Sequence, residues 1–354
     1  MQYALILLFS LWLIACENNI PEPTAAVMQD KSETLVVGYL PGYRGLVSHL
    51  EHIGLEQLTH LNLSFANPDA TGELINNDKL LCMAGKSTAN VSGDEIRIVV
   101  ERAHQVDVKV LMSVGGGIIP QCSGDWHNLL QTDNRQNLVT KLIHLVDEFK
   151  LDGLDIDLEG ILLTQIDNAG NYTPFIQALS VELKKRKKLL TTATASYVGG
   201  MVPVSSIAYF DLVNIMSYDA IGPSWGPSGT EHASYQQAEE HLLLWRQRGV
   251  DKNKLVLGLP FYGYGFGSYA GEHSFKDILT KFGQQAANKD VVGNACASCS
   301  YVTYNGLTTI RAKTALALQH GGGVMIWELT QDASGNNSLL NTISQQIQAT
   351  QSQP

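Results

Sequence analysis

From Leu35 onward, short apolar runs rich in β-branched and aromatic residues alternate with longer stretches whose apolar residues recur three and four positions apart. Runs of the first kind predict strands, and those of the second predict amphipathic helices. Eight strands are predicted, at Leu35–Leu40, Leu58–Phe65, Val108–Val114, Leu154–Leu158, Leu190–Ala195, Leu212–Ser217, Leu255–Leu259 and Gly323–Trp327. Helices are predicted between them, among others at Gly93–Gln105, Arg135–Lys150, Tyr172–Lys188, Ser234–Gln247 and Leu307–His320. Repeated βα units require a parallel sheet with helices on its faces. Eight of them close naturally into an α/β (β/α)₈ TIM barrel, here expected over residues 35–346 with a polar C-terminal tail at 347–354. That span exceeds the roughly 250 residues of a typical barrel, so the surplus belongs in loops. The largest is a short insertion, Tyr262–Tyr304, between the seventh strand and its helix.

The apolar run ahead of the barrel, Ala4 to Cys16, is short of the roughly 20 residues a membrane-crossing helix needs, and predicts a signal peptide. Leu13-Ile14-Ala15-Cys16 resembles a bacterial lipobox, which implies acylation of Cys16 and cleavage before it, although no Lys or Arg precedes the apolar run. Residues 17–34, with Pro21 and Pro23, read as a flexible tether. An exported chain, lipid-anchored to the outer membrane or cell surface, is the expectation, with the membrane reached through the anchor alone and the protein monomeric. Export exposes cysteines to oxidising conditions, and the four beyond Cys16 allow three connectivities. Cys82 with Cys122 and Cys296 with Cys299 is the expected pairing. A zinc site is disfavoured, because the distance between Cys122 and Cys296 fits no ribbon or finger spacing.

A formal net charge of −10 with dispersed acids disfavours a nucleic-acid partner, whose affinity rests on clustered Lys and Arg. The one dense basic run, Lys184–Lys188, closes a predicted helix, where cations complement the dipole.

The informative segment is Lys150-Leu-Asp-Gly-Leu-Asp-Ile-Asp-Leu-Glu-Gly160, which puts four carboxylates into an otherwise buried strand. Strand side chains alternate, so Asp155, Asp157 and Glu159 share one face and Leu154, Ile156 and Leu158 the other. In a barrel the acids then point inward. Asp152 is out of phase with them, which suits a structural hydrogen-bonding role. Close like charges in a dry site push at least one pKa upward, so a proton is retained. Glu159, nearest the C-terminal mouth where barrel active sites form, is best placed to donate it. A calcium loop would need Glu at the twelfth position, which is Ile166, so no metal is expected and no cofactor is implied.

The row Asp152-x-x-Asp155-x-Asp157-x-Glu159 resembles the signature of family 18 glycoside hydrolases, the family of many chitinases. Ser113-Val-Gly-Gly116 and Met216-Ser-Tyr218-Asp219 resemble two further family motifs, and Gly38-Tyr39 and Trp327 stand where the family places such residues. The resemblance implies substrate-assisted hydrolysis next to N-acetylglucosamine, in which the sugar's own acetamido oxygen attacks the anomeric carbon. By it, Glu159 is the general acid and base, Asp157 holds the acetamido N–H, and Asp155 shares a proton with Asp157. Tyr218 donates to the acetamido carbonyl, Asp219 contacts the adjoining sugar, and Trp327 floors the reacting one. Tyr39 and Ser113 either hydrogen-bond Asp155 or simply pack, and Gly116 belongs to the same substrate-binding set. Trp225 and Trp126 either line outer subsites or pack. Some members carry an aromatic residue where this chain has Gly117, which puts one sugar platform in doubt. The short insertion favours a shallow cleft and endo-type cleavage.

Two readings share this chemistry: hydrolysis of β-1,4-linked N-acetylglucosamine oligosaccharides, as by a chitinase, and trimming of N-linked glycans by an endo-β-N-acetylglucosaminidase. A third, a non-catalytic carbohydrate-binding barrel, is disfavoured because such barrels typically lose the acid and Glu159 is intact.

Overall fold

The computed structural model describes residues 34–83 and 91–352. The signal segment, the tether up to Glu33 and the lipidation candidate Cys16 lie outside the described residues. Eight parallel strands form a closed barrel: β1 Leu35–Pro41, β2 His60–Ala66, β3 Lys109–Gly115, β4 Gly153–Asp157, β5 Leu189–Thr194, β6 Leu212–Ile215, β7 Leu255–Pro260 and β8 Gly323–Trp327. Each strand pairs with its neighbours in sequence, and β8 closes on β1 with Leu35 opposite Gly323. Every predicted strand is present, its ends displaced by at most two residues.

Alternation divides the core in two. Leu154, Ile156 and Leu158 face outward into the layer between barrel and helices, whereas Val37, Tyr39, Val256 and Met325 fill the barrel's interior. The helix layer includes Gly93–His104, Thr132–Glu148, Tyr172–Lys185, Tyr235–Gln247 and Leu307–His320. Ser92 starts the first of these with a reciprocal capping box to Glu95. The tail expected at 347–354 is instead helical as far as Gln351, continuing Leu339–Gln351. That helix buries Leu339, Leu340 and Ile343 and packs Ile347 on the core, while its last four residues are polar or small, so composition masked its continuation.

The insertion after β7 is itself α+β. Strands Gly271–Ser274, Tyr262–Phe266, Tyr301–Thr303 and Val291–Gly293 form an antiparallel sheet, with helix Phe275–Phe282 attached. Its strand Tyr262–Phe266 packs Tyr262 against Tyr218 and Tyr264 against Trp225, ring centroids 6.1 and 5.3 Å apart. The Cys296–Cys299 disulfide lies within the insertion, and Cys82–Cys122 ties the segment after β2 to the loop after β3. Lys313, fully buried on Leu307–His320, donates to the Ala233 carbonyl at 2.9 Å and to Asn305 Oδ1 at 2.8 Å, pinning the loop that follows β6. Burial lowers its pKa to about 7.

Candidate active site

Strand register assembles the site. Ser113 on β3 and Thr191 on β5 both lie directly opposite Asp155 on β4, so all three side chains share the interior face. Asp155 is fully buried and accepts four hydrogen bonds: from Tyr39 Oη and Ser113 Oγ, each at 2.7 Å, from Thr191 Oγ1 at 2.5 Å and from Asn214 Nδ2 at 3.4 Å. Donors aimed at a carboxylate favour its charged form. Burial still pushes its pKa up, against the pull of all four donors.

Asp157, one pleat nearer the mouth, is almost as deeply buried but has an oxygen, Oδ1, without a hydrogen-bond partner. Burial first, then the charges of Glu159 and Asp155, raise its pKa well above the ordinary carboxylate range. Of the two buried carboxyls, Asp157 is the more strongly biased toward holding a proton, because Asp155 has four donors to offset its burial and Asp157 has the charges of two carboxyls against it.

Glu159 lies just beyond the end of β4 and is the N-cap of helix Gly160–Asn168, with its side chain free of any cap hydrogen bond. Burial, and next the charge of Asp219, push it up to about 7. Gly117 borders its carboxyl: a Cβ there would lie 3.0 Å from Oε1. The absence of a side chain at that position thus keeps one flank of Glu159 open.

From Glu159 a cleft of about 720 Å³ runs past Met216, Tyr218 and Asp219 to Trp225. The Tyr218 hydroxyl has only Met325 Sδ nearby, at 3.8 Å, and so is free to donate to a ligand. Asp219, in a left-handed conformation with φ 62°, accepts from the Tyr262 hydroxyl. Buried His232 stands behind it, Nδ1 3.7 Å from Asp219 Oδ1. On the other side of Glu159, half-buried Trp327 stacks on Phe65 at 5.4 Å and meets the edge of Tyr39 at 5.5 Å. Two neighbouring carboxyls with raised pKa values, one of them opening on a cleft, make a site for acid–base chemistry.

A family model described as glycosyl hydrolases family 18 matches residues 35–332. The chain belongs to this family. It is 33% identical to a family 18 chitinase from the chitin utilization locus of Flavobacterium johnsoniae, with a TM-score of 0.74 over 89% of this chain and 94% of that one. A chitinase from Bacteroides thetaiotaomicron is 29% identical, with a TM-score of 0.72 over 91% of this chain and 99% of the other. Among curated relatives, the class V chitinase of Arabidopsis thaliana is 27% identical over 69% of this chain and 74% of its own length. The match to probable chitinase 10 of Drosophila melanogaster, 24% identical, covers 84% of this chain but only 15% of that much longer protein.

In this family 18 barrel the residues singled out from sequence fall at different places. Asp155, Asp157, Glu159, Tyr218, Asp219 and Trp327 converge at the mouth, and Tyr39 and Ser113 bind Asp155 rather than merely pack. Trp225 is part of the same cleft, 43% exposed, its indole N–H donating to the Asp219 carbonyl at 2.9 Å. Gly116 acts through its backbone: its N–H donates to the Asp157 carbonyl at 2.7 Å, and a Cβ would strike the Phe65 ring. Asp152 lies at the far end of the barrel, where it accepts from the Val110 N–H at 2.8 Å and pairs with His104 at 2.7 Å. Trp126 belongs to the core, buried with its indole N–H on Asn67 Oδ1, and lines no subsite. Thr191, Asn214, Tyr262 and His232 were not legible as site residues. Only strand register could have revealed the first, and the others depend on contacts between distant segments.

Proposed function

We propose that the protein is a retaining, substrate-assisted hydrolase of β-1,4 linkages in chitin or chitooligosaccharides. Glu159 protonates the glycosidic oxygen as the bond to the anomeric carbon breaks, and the acetamido oxygen of the same sugar forms a bond to that carbon. Water then attacks the resulting bicyclic oxazolinium ion and gives its proton to Glu159, which regenerates the acid. Asp157 orients the acetamido N–H and stabilises its developing positive charge, Asp155 anchors and shares its proton, and Tyr218 donates to the acetamido carbonyl. Tyr39 and Ser113 steady Asp155, Asp219 contacts the adjoining sugar, and Trp327 floors the reacting ring. The observation that carries this reading is Asp157, buried between an Asp155 held by four donors and a Glu159 raised to about 7, with one oxygen that has no donor among the described residues. An N–H from the substrate satisfies it.

The names of the relatives favour chitin over N-glycans, and the intact, proton-holding Glu159 favours turnover over binding alone. Glu159→Gln is expected to abolish hydrolysis of chitotetraose while leaving its binding intact, and unchanged turnover would refute the assignment. Chitotetraose carrying trifluoroacetamido groups should be cleaved far more slowly, because the weakened carbonyl nucleophile attacks late. Equal rates would point to a nucleophile on the protein instead. Faster release of glycans from a denatured glycoprotein than cleavage of chitotetraose would move the substrate to N-glycans. Anchoring at a bacterial membrane through Cys16 is part of the proposal, supported by the two disulfides, which suit an oxidising compartment. Cys16→Ser should release the chain into the soluble fraction.

A further inference from the structure

Outside the cleft, the most exposed large apolar side chains gather on one side of the mouth. Val198 is 92% exposed, Ile118 83% and Ile161 78%, with Tyr197 at 60% beside them. They come from the three consecutive loops after β3, β4 and β5, and these loops lie against one another. The Thr164 hydroxyl donates to the Gly199 carbonyl at 2.7 Å, and helix Trp126–Leu129 packs on helix Gly160–Asn168. Gly117, next to Ile118, borders the Glu159 carboxyl, and Tyr197 lines the cleft itself. The apolar surface is therefore continuous with the site.

The stretches of these loops that carry the four side chains are free of charge. In a chain of net charge −10, residues 116–124, 160–166 and 192–210 contain no Asp, Glu, Lys or Arg. Contiguous apolar surface on a soluble domain marks an interaction site. Lack of cations removes the attraction for phosphate-bearing lipid or nucleic acid, and lack of any charge leaves nothing to set register with a charged protein. The Cys82–Cys122 disulfide, together with Pro120 and Pro203, limits the freedom of two of the loops, so little ordering is needed on contact.

We infer that Ile118, Ile161 and Val198 form a docking ledge for the flat face of an insoluble, uncharged polysaccharide, steering a chain of the polymer toward Glu159. The axial C–H groups of stacked pyranose rings give such a polymer an apolar, charge-free face that matches the ledge. The inference rests on the chitin reading above, and the two can fail separately.

The test compares the full chain with its I118S/I161S/V198S variant on chitin particles and on chitotetraose. The variant should bind particles about tenfold more weakly, with product release from them reduced in step, since three aliphatic contacts are lost. Its kcat/KM on chitotetraose should stay within about twofold of the parent, which also shows that the variant is folded. Equal binding of the two proteins to particles overturns the ledge while leaving the function intact. A parent chain inactive on chitotetraose overturns the function instead. Loss of binding to neutral phosphatidylcholine vesicles in the variant, with particle binding unchanged, would assign the surface to lipid and refute the inference.

Discussion

The charge on Asp219 is part of what keeps Glu159 protonated, and removing it should be visible in the pH profile. Glu159 rises from an ordinary 4.5 to about 7, a difference worth about 3 kcal/mol at ~1.36 kcal/mol per unit. Burial is the larger cause and Asp219 the second, while the hydrogen bond with Asp157 pulls the other way, so removing the charge of Asp219 reverses part of the rise. Asp219→Asn keeps the shape and an oxygen that still accepts from Tyr262, but removes the charge. A general acid works only in its protonated form, so activity is present below its pKa and fades as pH rises through it. The alkaline limb of kcat/KM on chitotetraose should fall near pH 7 in the parent and about 0.5–1 unit lower in the variant. At pH 8 the protonated fraction would drop from about one in ten to about one in fifty. Lost contact with the adjoining sugar lowers the whole curve but does not move the limb, so the two effects separate. A limb that stays in place, or moves to higher pH, would refute the electrostatic link between the two carboxylates.

Two further outcomes test the scaffold. Replacing Cys82 and Cys122 by Ser opens a loop with a sequence separation of 40 and should lower unfolding free energy by about 4 kcal/mol, whereas Cys296 and Cys299, 3 apart, should matter by under about 2 kcal/mol; guanidinium midpoints with unchanged m-values read both. Lys313 has a pKa of about 7 when folded against 10.5 when free, so the unfolded chain binds more protons between those values and stability rises with pH across that window. The rise should reach about 2 kcal/mol from pH 7 to 9, and Lys313→Met should flatten it; equal slopes would mean that the amine is charged in the fold.

Most of the barrel was legible because parallel strands covered on both sides announce themselves as apolar runs, and eight of them leave few alternatives. The acidic row was legible for the opposite reason: Asp155 and Asp157 break an apolar run at alternate positions, which fixes their face. Trp126 escaped because nothing local distinguishes a Trp that caps a core from one that holds a sugar; its partner Asn67 is 59 residues away. Tyr262 meets Asp219 only after the insertion folds back over the loop following β6, and His232 only through the fold of that loop on itself, where the Ala220 N–H donates to the His232 carbonyl. The insertion's sheet has strands of three to five residues, too short for alternation to register. The end of the helix at Gln351 was missed because Ile347 is the last large apolar residue on its inner face and the polar residues after it carry no periodicity.

Asp155 and its donors occupy β1, β3, β4, β5 and β6, five of the eight staves of the barrel. Closing the cylinder and setting the catalytic geometry are for that reason one event, and a chain that misplaces any of these strands leaves a buried carboxyl short of donors. Such a keystone leaves evolution little latitude inside the barrel. New specificities in a protein built this way must arise in the loops around the rim.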